Sequence, residues 1–251
     1  MHLLILCEGK TEGEVLEEFL KPFWSARFQS VEIQHYTGNG QLGARLKADA
    51  ELQLRTEADS WVLCLVDLYK EPFRVYNRQR MSIEEGFAAV RKELYLRVDA
   101  QYHARFGGFP VVMELETWLL ADQHIQQRMG STFTQPENIL HPVRELEKWY
   151  ESRRKAYKKL TSGQLLFREA SAERVYADNC PHFNQMADWL RNPPPHLPDY
   201  DPERRAAFDK KSAELYTDFE RLYEAAKDDE SLERAIEAEQ RWLSHLASYR
   251  V

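Results

Sequence analysis

The apolar run at residues 3–7 (Leu-Leu-Ile-Leu-Cys) is short and uninterrupted, the pattern of a strand buried on both faces. Thr11 with Glu14 then fits a capping box, and Val15, Leu16, Phe19, Leu20 and Phe23 recur at helical spacing. Residues 31–36 are β-prone and predict a second strand, followed by a turn at Gly38-Asn39-Gly40. Leu42, Leu46, Ala50 and Leu54 predict a second helix. The run at 61–66 (Trp-Val-Leu-Cys-Leu-Val) is apolar throughout and stops at Asp67, as a central parallel strand would. A helix is expected over 83–106, with Gly107-Gly108 breaking its pattern. Residues 109–113 predict a fourth strand ending in Glu114-Leu115-Glu116, and 117–123 the helix after it.

Strands alternating with helices predict an α/β fold with a mainly parallel, Rossmann-like sheet flanked by helices. This domain is placed at 1–125, a helical elaboration of it at 126–192, and an acidic helical extension at 193–251. Pro193-Pro194-Pro195 and Pro198 form a stiff break before the extension. Beyond them, Leu215, Phe219, Leu222 and Ala226 mark one amphipathic helix, and Leu232, Ile236, Leu243 and Leu246 another.

Composition narrows the setting. Hydrophobic residues make up 43% of 251, and six Trp, twelve Tyr and twelve Phe argue for a packed core and against disorder. No apolar run approaches the roughly 20 residues that span a bilayer, so no membrane association is expected. Cys7, Cys64 and Cys180 are odd in number and widely spaced, which suits buried free thiols in a reducing cytoplasm. The net charge of −7 is concentrated at 199–239, which holds 14 acidic and 7 basic side chains, and the remainder is neutral. Within that remainder Arg153, Arg154, Lys155, Lys158, Lys159 and Arg168 form a basic block without an intervening acid, so a polyanionic substrate stays compatible with the overall acidity.

The candidate chemistry is acidic. Strand ends carry Glu8, Asp67 and Glu114 or Glu116, and the carboxyl ends of parallel strands lie along one edge, where such sheets bind ligands. Glu8 and Glu12 flank a strand-to-helix turn and can converge on one point. A buried carboxylate needs a cation, a basic neighbour or exposure, and each of these solutions fits Glu8 alone. Mg²⁺ suits the set as a whole, because it prefers oxygen ligands and rests on one or two carboxylates plus substrate phosphates. If the fourth strand persists through Glu114 and Glu116, both share a face and add ligands for a cation. If Glu116 opens a helix, it favours the helix dipole instead. Asp122 reads as a surface residue. Lys158 or Lys159 would suit stabilisation of charge at a phosphodiester. The histidines show no triad pattern.

Glu8-Gly9-Lys10-Thr11-Glu12 before a helix, with an apolar strand ending in Asp67, resembles the Toprim fold of topoisomerases, primases and the overcoming-lysogenization-defect nucleases. More narrowly, the chain resembles a bacterial family, domain of unknown function 4276. The match runs through Val66-Asp67-Leu68-Tyr69-Lys70-Glu71-Pro72, Glu114-Leu115-Glu116-Thr117-Trp118-Leu119-Leu120-Ala121-Asp122, and Tyr157-Lys158-Lys159 to Cys180-Pro181-His182-Phe183. The resemblance implies a Toprim-like domain holding Mg²⁺ (with Mn²⁺ as substitute) through Glu8, Glu12 and Asp67. It also implies nuclease chemistry on DNA or RNA, and an ATPase partner in an anti-phage system. One departure stands out: Toprim enzymes carry Asp-x-Asp where this chain has Asp67-Leu68-Tyr69. A phenol stays protonated at neutral pH and cannot replace a carboxylate. Glu114 or Glu116 then supplies the missing oxygen, or one cation binds, or the domain is a non-catalytic subunit that binds an ATPase or nucleic acid. A small-nucleotide phosphotransferase is a third reading, without any Walker-type loop to support it. Self-association is left open.

Overall fold

Strand β1 (His2–Glu8) is buried from Leu3 to Cys7 and pairs in parallel with β2 (Ser30–Tyr36) on one side and β3 (Ser60–Asp67) on the other. β4 (Phe106–Val111) completes a four-stranded, all-parallel sheet of order β2-β1-β3-β4. The computed structural model describes residues 1–69, 73, 76–77, 79–177, 180–192, 202–225 and 229–248, apart from the side chains of 11–12, 177, 202–209, 212, 224, 229–232 and 243–248. The proline cluster at 193–198, the motif residues Lys70, Glu71 and Pro72, Ala226 of the tail pattern, and the side chains of Leu232, Leu243 and Leu246 lie outside the described residues.

The unbroken hydrophobicity of β1 and β3 follows from their central position, since helices cover both faces of the sheet. Helix α1 (Lys10–Trp24) connects β1 to β2, α2 (Asn39–Thr56) connects β2 to β3, and α3 (Ile83–Leu96) connects β3 to β4. Right-handed crossovers that run in opposite directions along a sheet put their helices on opposite faces. α1 therefore covers one face, and α2 with α3 the other.

The remaining helices thicken these layers. α4 (Glu116–Ala121), α5 (Gln123–Met129), α6 (Pro142–Ser152), α7 (Gln164–Glu169), α8 (Ala172–Ala177) and α9 (Pro181–Arg191) follow β4. α7, α8 and α9 pack on α1. There Phe19, Trp118, Phe167 and Phe183 form one aromatic cluster, with the Phe19 and Trp118 rings stacked 5.9 Å apart. α10 (Pro202–Ala225) and α11 (Asp229–Ser248) form a hairpin on the α3 side. Trp242 anchors it edge-on to Tyr95 at 5.9 Å and to His103 at 5.3 Å. Among the described residues no helix is long and apolar enough to cross a membrane. Cys7, Cys64 and Cys180 are buried free thiols.

Several local expectations are corrected. α1 begins at Lys10, so Thr11 lies inside it, and the N-cap is Gly9 at φ 81°, without any side-chain cap. Gly38-Asn39-Gly40 is the start of α2, not a free turn. The helix expected over 83–106 stops at Leu96, and a short 3₁₀ turn at Ala100–Arg105 leads into β4. Its start carries an unforeseen capping box, with Ser82 Oγ accepting from the Glu85 amide and Glu85 returning a bond to Ser82 N. Gly107 and Gly108 are strand residues: a Cβ would lie 2.8 Å from the Trp189 ring at the first and 2.9 Å from Leu94 at the second. Hydrophobic pattern cannot register a strand whose faces are filled by side chains from α9 and α3. β4 ends at Val111, so Glu114 and Glu116 leave the sheet, and Glu116 opens α4. Asp122 is fully buried and caps α5 through the amides of His124 and Ile125. It also accepts from Ser171 N at 2.7 Å and Arg174 Nε at 2.9 Å, which makes it a tie between segments and not a surface residue.

Gly86 in α3 sits where a Cβ would fall 2.1 Å from the Tyr76 ring, whereas a Cβ on Gly40 would meet nothing within 4 Å. Gly86→Ala is expected to lower stability by about 1–3 kcal/mol, and Gly40→Ala to stay within about 0.5 kcal/mol of wild type. Urea unfolding of both variants checks this, and equal midpoints would contradict the packing.

Candidate active site

The strand order gives the sheet a switch point. β1 sends its chain to β2 on one side, and β3 sends its chain to β4 on the other, so the connections diverge between the carboxyl ends of β1 and β3. A divergence of this kind leaves a crevice outside the strand ends, the usual ligand position in open α/β sheets. Glu8 ends β1 and Asp67 ends β3, and both line one crevice, together with Cys7, Val66, Val111 and Leu115. Its volume is about 10 Å³, close to what a single water needs. Asp67 is only 7% exposed and Glu8 is half-buried. Gly9 allows the sharp exit beside Glu8: its positive φ suits glycine, and its amide donates to the Tyr36 carbonyl at 2.8 Å.

The acids continue past the strand ends. Tyr69, two residues after Asp67, donates its hydroxyl to Glu114 Oε1 at 2.5 Å. Burial raises the Tyr69 phenol far above its ordinary value, helped by the bond to Glu114 and by the negative charges of Glu114, Asp67 and Glu116. All three carboxylates thus act on one ring. Glu114 is aimed by Met113, a buried non-glycine residue at φ 64°. Such a conformation costs about 1–3 kcal/mol and concentrates at functional sites.

Glu116 is 2% exposed. Its Oε1 accepts from the Tyr157 hydroxyl at 3.2 Å, and its Oε2 lies 3.3 Å from Lys159 Nζ, an ion-pair distance without hydrogen-bond alignment. Burial raises the Glu116 pKa, and the Lys159 charge opposes that rise. Lys159 begins a π-type turn, Lys159–Gly163, of a kind frequent at functional sites. Gly163 leaves room for Tyr157, because a Cβ there would be 2.9 Å from the hydroxyl. Lys159 is partly buried, whereas Lys158 is exposed and contributes its backbone amide to Ser162 Oγ.

The sequence candidates therefore separate by role. Glu8 and Asp67 share the crevice, and Glu114 and Glu116 flank it, each with a protein partner. The Glu12 side chain lies outside the described residues, although its backbone is in the first turn of α1. Among the described residues, no three His, Cys, Asp or Glu side chains form a metal-sized group. Two carboxylates at one crevice still fit Mg²⁺, which needs only one or two together with water and phosphate oxygens. In the basic block, Arg153 stacks on Trp149 at 4.5 Å and donates to the Arg128 carbonyl, so it is partly structural. Arg154, Lys155 and Lys158 are exposed on the loop between α6 and α7. Sequence reading missed the link from Tyr157 to Glu116, and also the buried pair His182–Glu137, whose Nδ1 and Oε2 are 2.7 Å apart. Neither pair has a sequence spacing that announces it.

The raised Glu116 pKa has a pH consequence. The folded state holds the Glu116 proton more tightly than the unfolded chain does, so wild type loses stability as pH rises from the ordinary value of 4.5 through the higher folded value. Glu116→Gln carries no such titration, and its stability relative to wild type should increase from pH 4 to pH 8. Urea unfolding at both pH values measures this, and a difference that does not change with pH would contradict the buried, proton-favouring environment.

No curated protein and no solved structure matches the chain. A model of the family described as Domain of unknown function (DUF4276) matches residues 7–191, which contain every candidate site residue from Glu8 to Lys159. The chain belongs to the DUF4276 family.

Proposed function

We propose that this chain is a Mg²⁺-dependent phosphodiesterase with a Toprim-like domain, cleaving DNA or RNA as an effector of an anti-phage system. The observation that carries this reading is the shared crevice of Glu8 and Asp67 at the switch point of the sheet. Glu8 and Asp67, with Glu12 from the first turn of α1, are the proposed cation ligands, and Mn²⁺ would substitute. When bound, such a cation polarises a phosphodiester and lowers the pKa of water. Glu116 holds Lys159, and in this reading the ammonium neutralises charge that develops on the phosphate. Tyr157 steadies Glu116 through its hydroxyl. Glu114 engages the Tyr69 phenol, which keeps its proton at neutral pH and acts only as a donor. Arg154, Lys155 and Lys158 offer exposed positive charge for the nucleic-acid backbone. The ATPase partner and the defence setting rest on the motif resemblance. Without a Walker-type loop in this chain, ATP hydrolysis belongs to another one.

A second reading has one observation in its favour. Tyr69 stands where Toprim enzymes carry a second Asp, and it engages Glu114, which suits a non-catalytic subunit that binds an ATPase or a nucleic acid.

Incubation of plasmid, single-stranded DNA and tRNA with Mg²⁺ or Mn²⁺ separates the two. The phosphodiesterase reading expects metal-dependent cleavage, lowered about 100-fold or more by Glu8→Gln or Asp67→Asn, and comparably by Lys159→Met but far less by Lys158→Met. Cleavage by wild type that Glu8→Gln and Asp67→Asn leave unchanged would exclude this site. No cleavage with either metal would favour the subunit reading.

A further inference from the structure

Beside the acids lies a second cavity that the proposed chemistry leaves unused. It has a volume of about 460 Å³, within the range of small-molecule sites. Tyr69 and Tyr76 contribute aromatic rings, Asn77 and Gln79 contribute side-chain amides, and His141 contributes an imidazole. Met113, the strained residue that aims Glu114, also lines it, so cavity and acids share a wall.

We infer that this cleft receives one unpaired nucleobase of the substrate, which makes the substrate class single-stranded or locally opened nucleic acid. The inference rests on the phosphodiesterase reading for the acids beside the cleft, but its binding chemistry stands apart from cleavage. Aromatic rings accept any base by stacking. Tyr76 is buried with Gly86 of α3 under its ring and forms the fixed back wall, so the half-buried Tyr69 offers the ring surface in the cleft. Base edges present donors and acceptors side by side, and amide side chains match that pattern. Asn77 accepts the Gln79 amide through its own Oδ1 at 3.0 Å, which fixes the loop and keeps its NH₂ group available as a donor. Gln79 and His141 are exposed at the rim, and their side chains carry no hydrogen bond among the described residues. A base within a duplex has its faces covered by neighbours and its edge paired, so it enters such a cleft only when splayed out. Tyr69 connects the two parts of the site, because one hydroxyl bonds Glu114 while the same side chain lines the cleft.

The test is fluorescence anisotropy with a labelled mixed-sequence single strand, the same sequence as a blunt duplex, and a strand of equal length made of abasic nucleotides. EDTA is present throughout, so cleavage does not enter. The base-bearing single strand is expected to bind about tenfold more tightly than the abasic strand and the duplex, the factor that one base stack carries. Gln79→Glu combined with His141→Glu, both at the exposed rim, should reduce its affinity to the abasic level. Glu8→Gln should leave the preference for bases intact. Equal affinity for base-bearing and abasic strands, or a base preference that survives the rim changes, would overturn the inference even if wild type cleaves DNA. A base preference lost in the rim variant would uphold it even if no cleavage is found.

Discussion

Parallel pairing of β1 with β3 is the constraint from which the rest of the molecule follows. The register sets Cys7 opposite Leu65, so the two strands run out together and their last residues, Glu8 and Asp67, emerge at one edge. Their chains then part, one toward α1 and the other toward α3, on opposite faces of the sheet. Short right-handed connections permit few alternatives once β1 is flanked by β2 and β3. Two acids far apart in sequence are thereby forced to face one gap.

Bringing acids together at a poorly solvated edge is unfavourable by itself. The protein answers locally in two ways. Glu114 accepts a hydrogen bond from a phenol that burial keeps neutral, and Glu116 accepts one from a second phenol and faces a lysine. Those partners come from the loop after β3 and the segment before α7, so residues outside the sheet complete the edge. The left-handed backbone at Met113 belongs to the same arrangement, since a relaxed chain after β4 would aim Glu114 elsewhere. The cation proposed between Glu8 and Asp67 continues this logic at the crevice that these two carboxylates share.

What the sequence disclosed depended on how each segment is solvated. β1 and β3 are covered on both faces, and unbroken apolar runs announced them together with the acids at their ends. β4 is covered equally well, but by Trp189 and Leu94 reaching over its glycines, so the pattern resembled a helix break. The choice left open for Glu114 and Glu116 turned on where β4 ends, which is at Val111, two residues before the expected end. Asp122 was misread because its partners, Ser171 and Arg174, are distant in sequence. The same distance concealed the pairing of Glu116 with Tyr157 and Lys159, and the sequence could not choose between Lys158 and Lys159. Candidate residues could be named from the chain alone. Which of them keep company required the fold.

In the proposed site Glu8 and Asp67 share one divalent ion. Diffraction from crystals soaked in Mn²⁺, collected to record anomalous scattering, tests it most directly. A shared ion gives a peak within coordination distance of a carboxylate oxygen from each residue, absent in crystals of Glu8→Gln. A peak that touches only one of the two, or lies away from the strand ends, would contradict it.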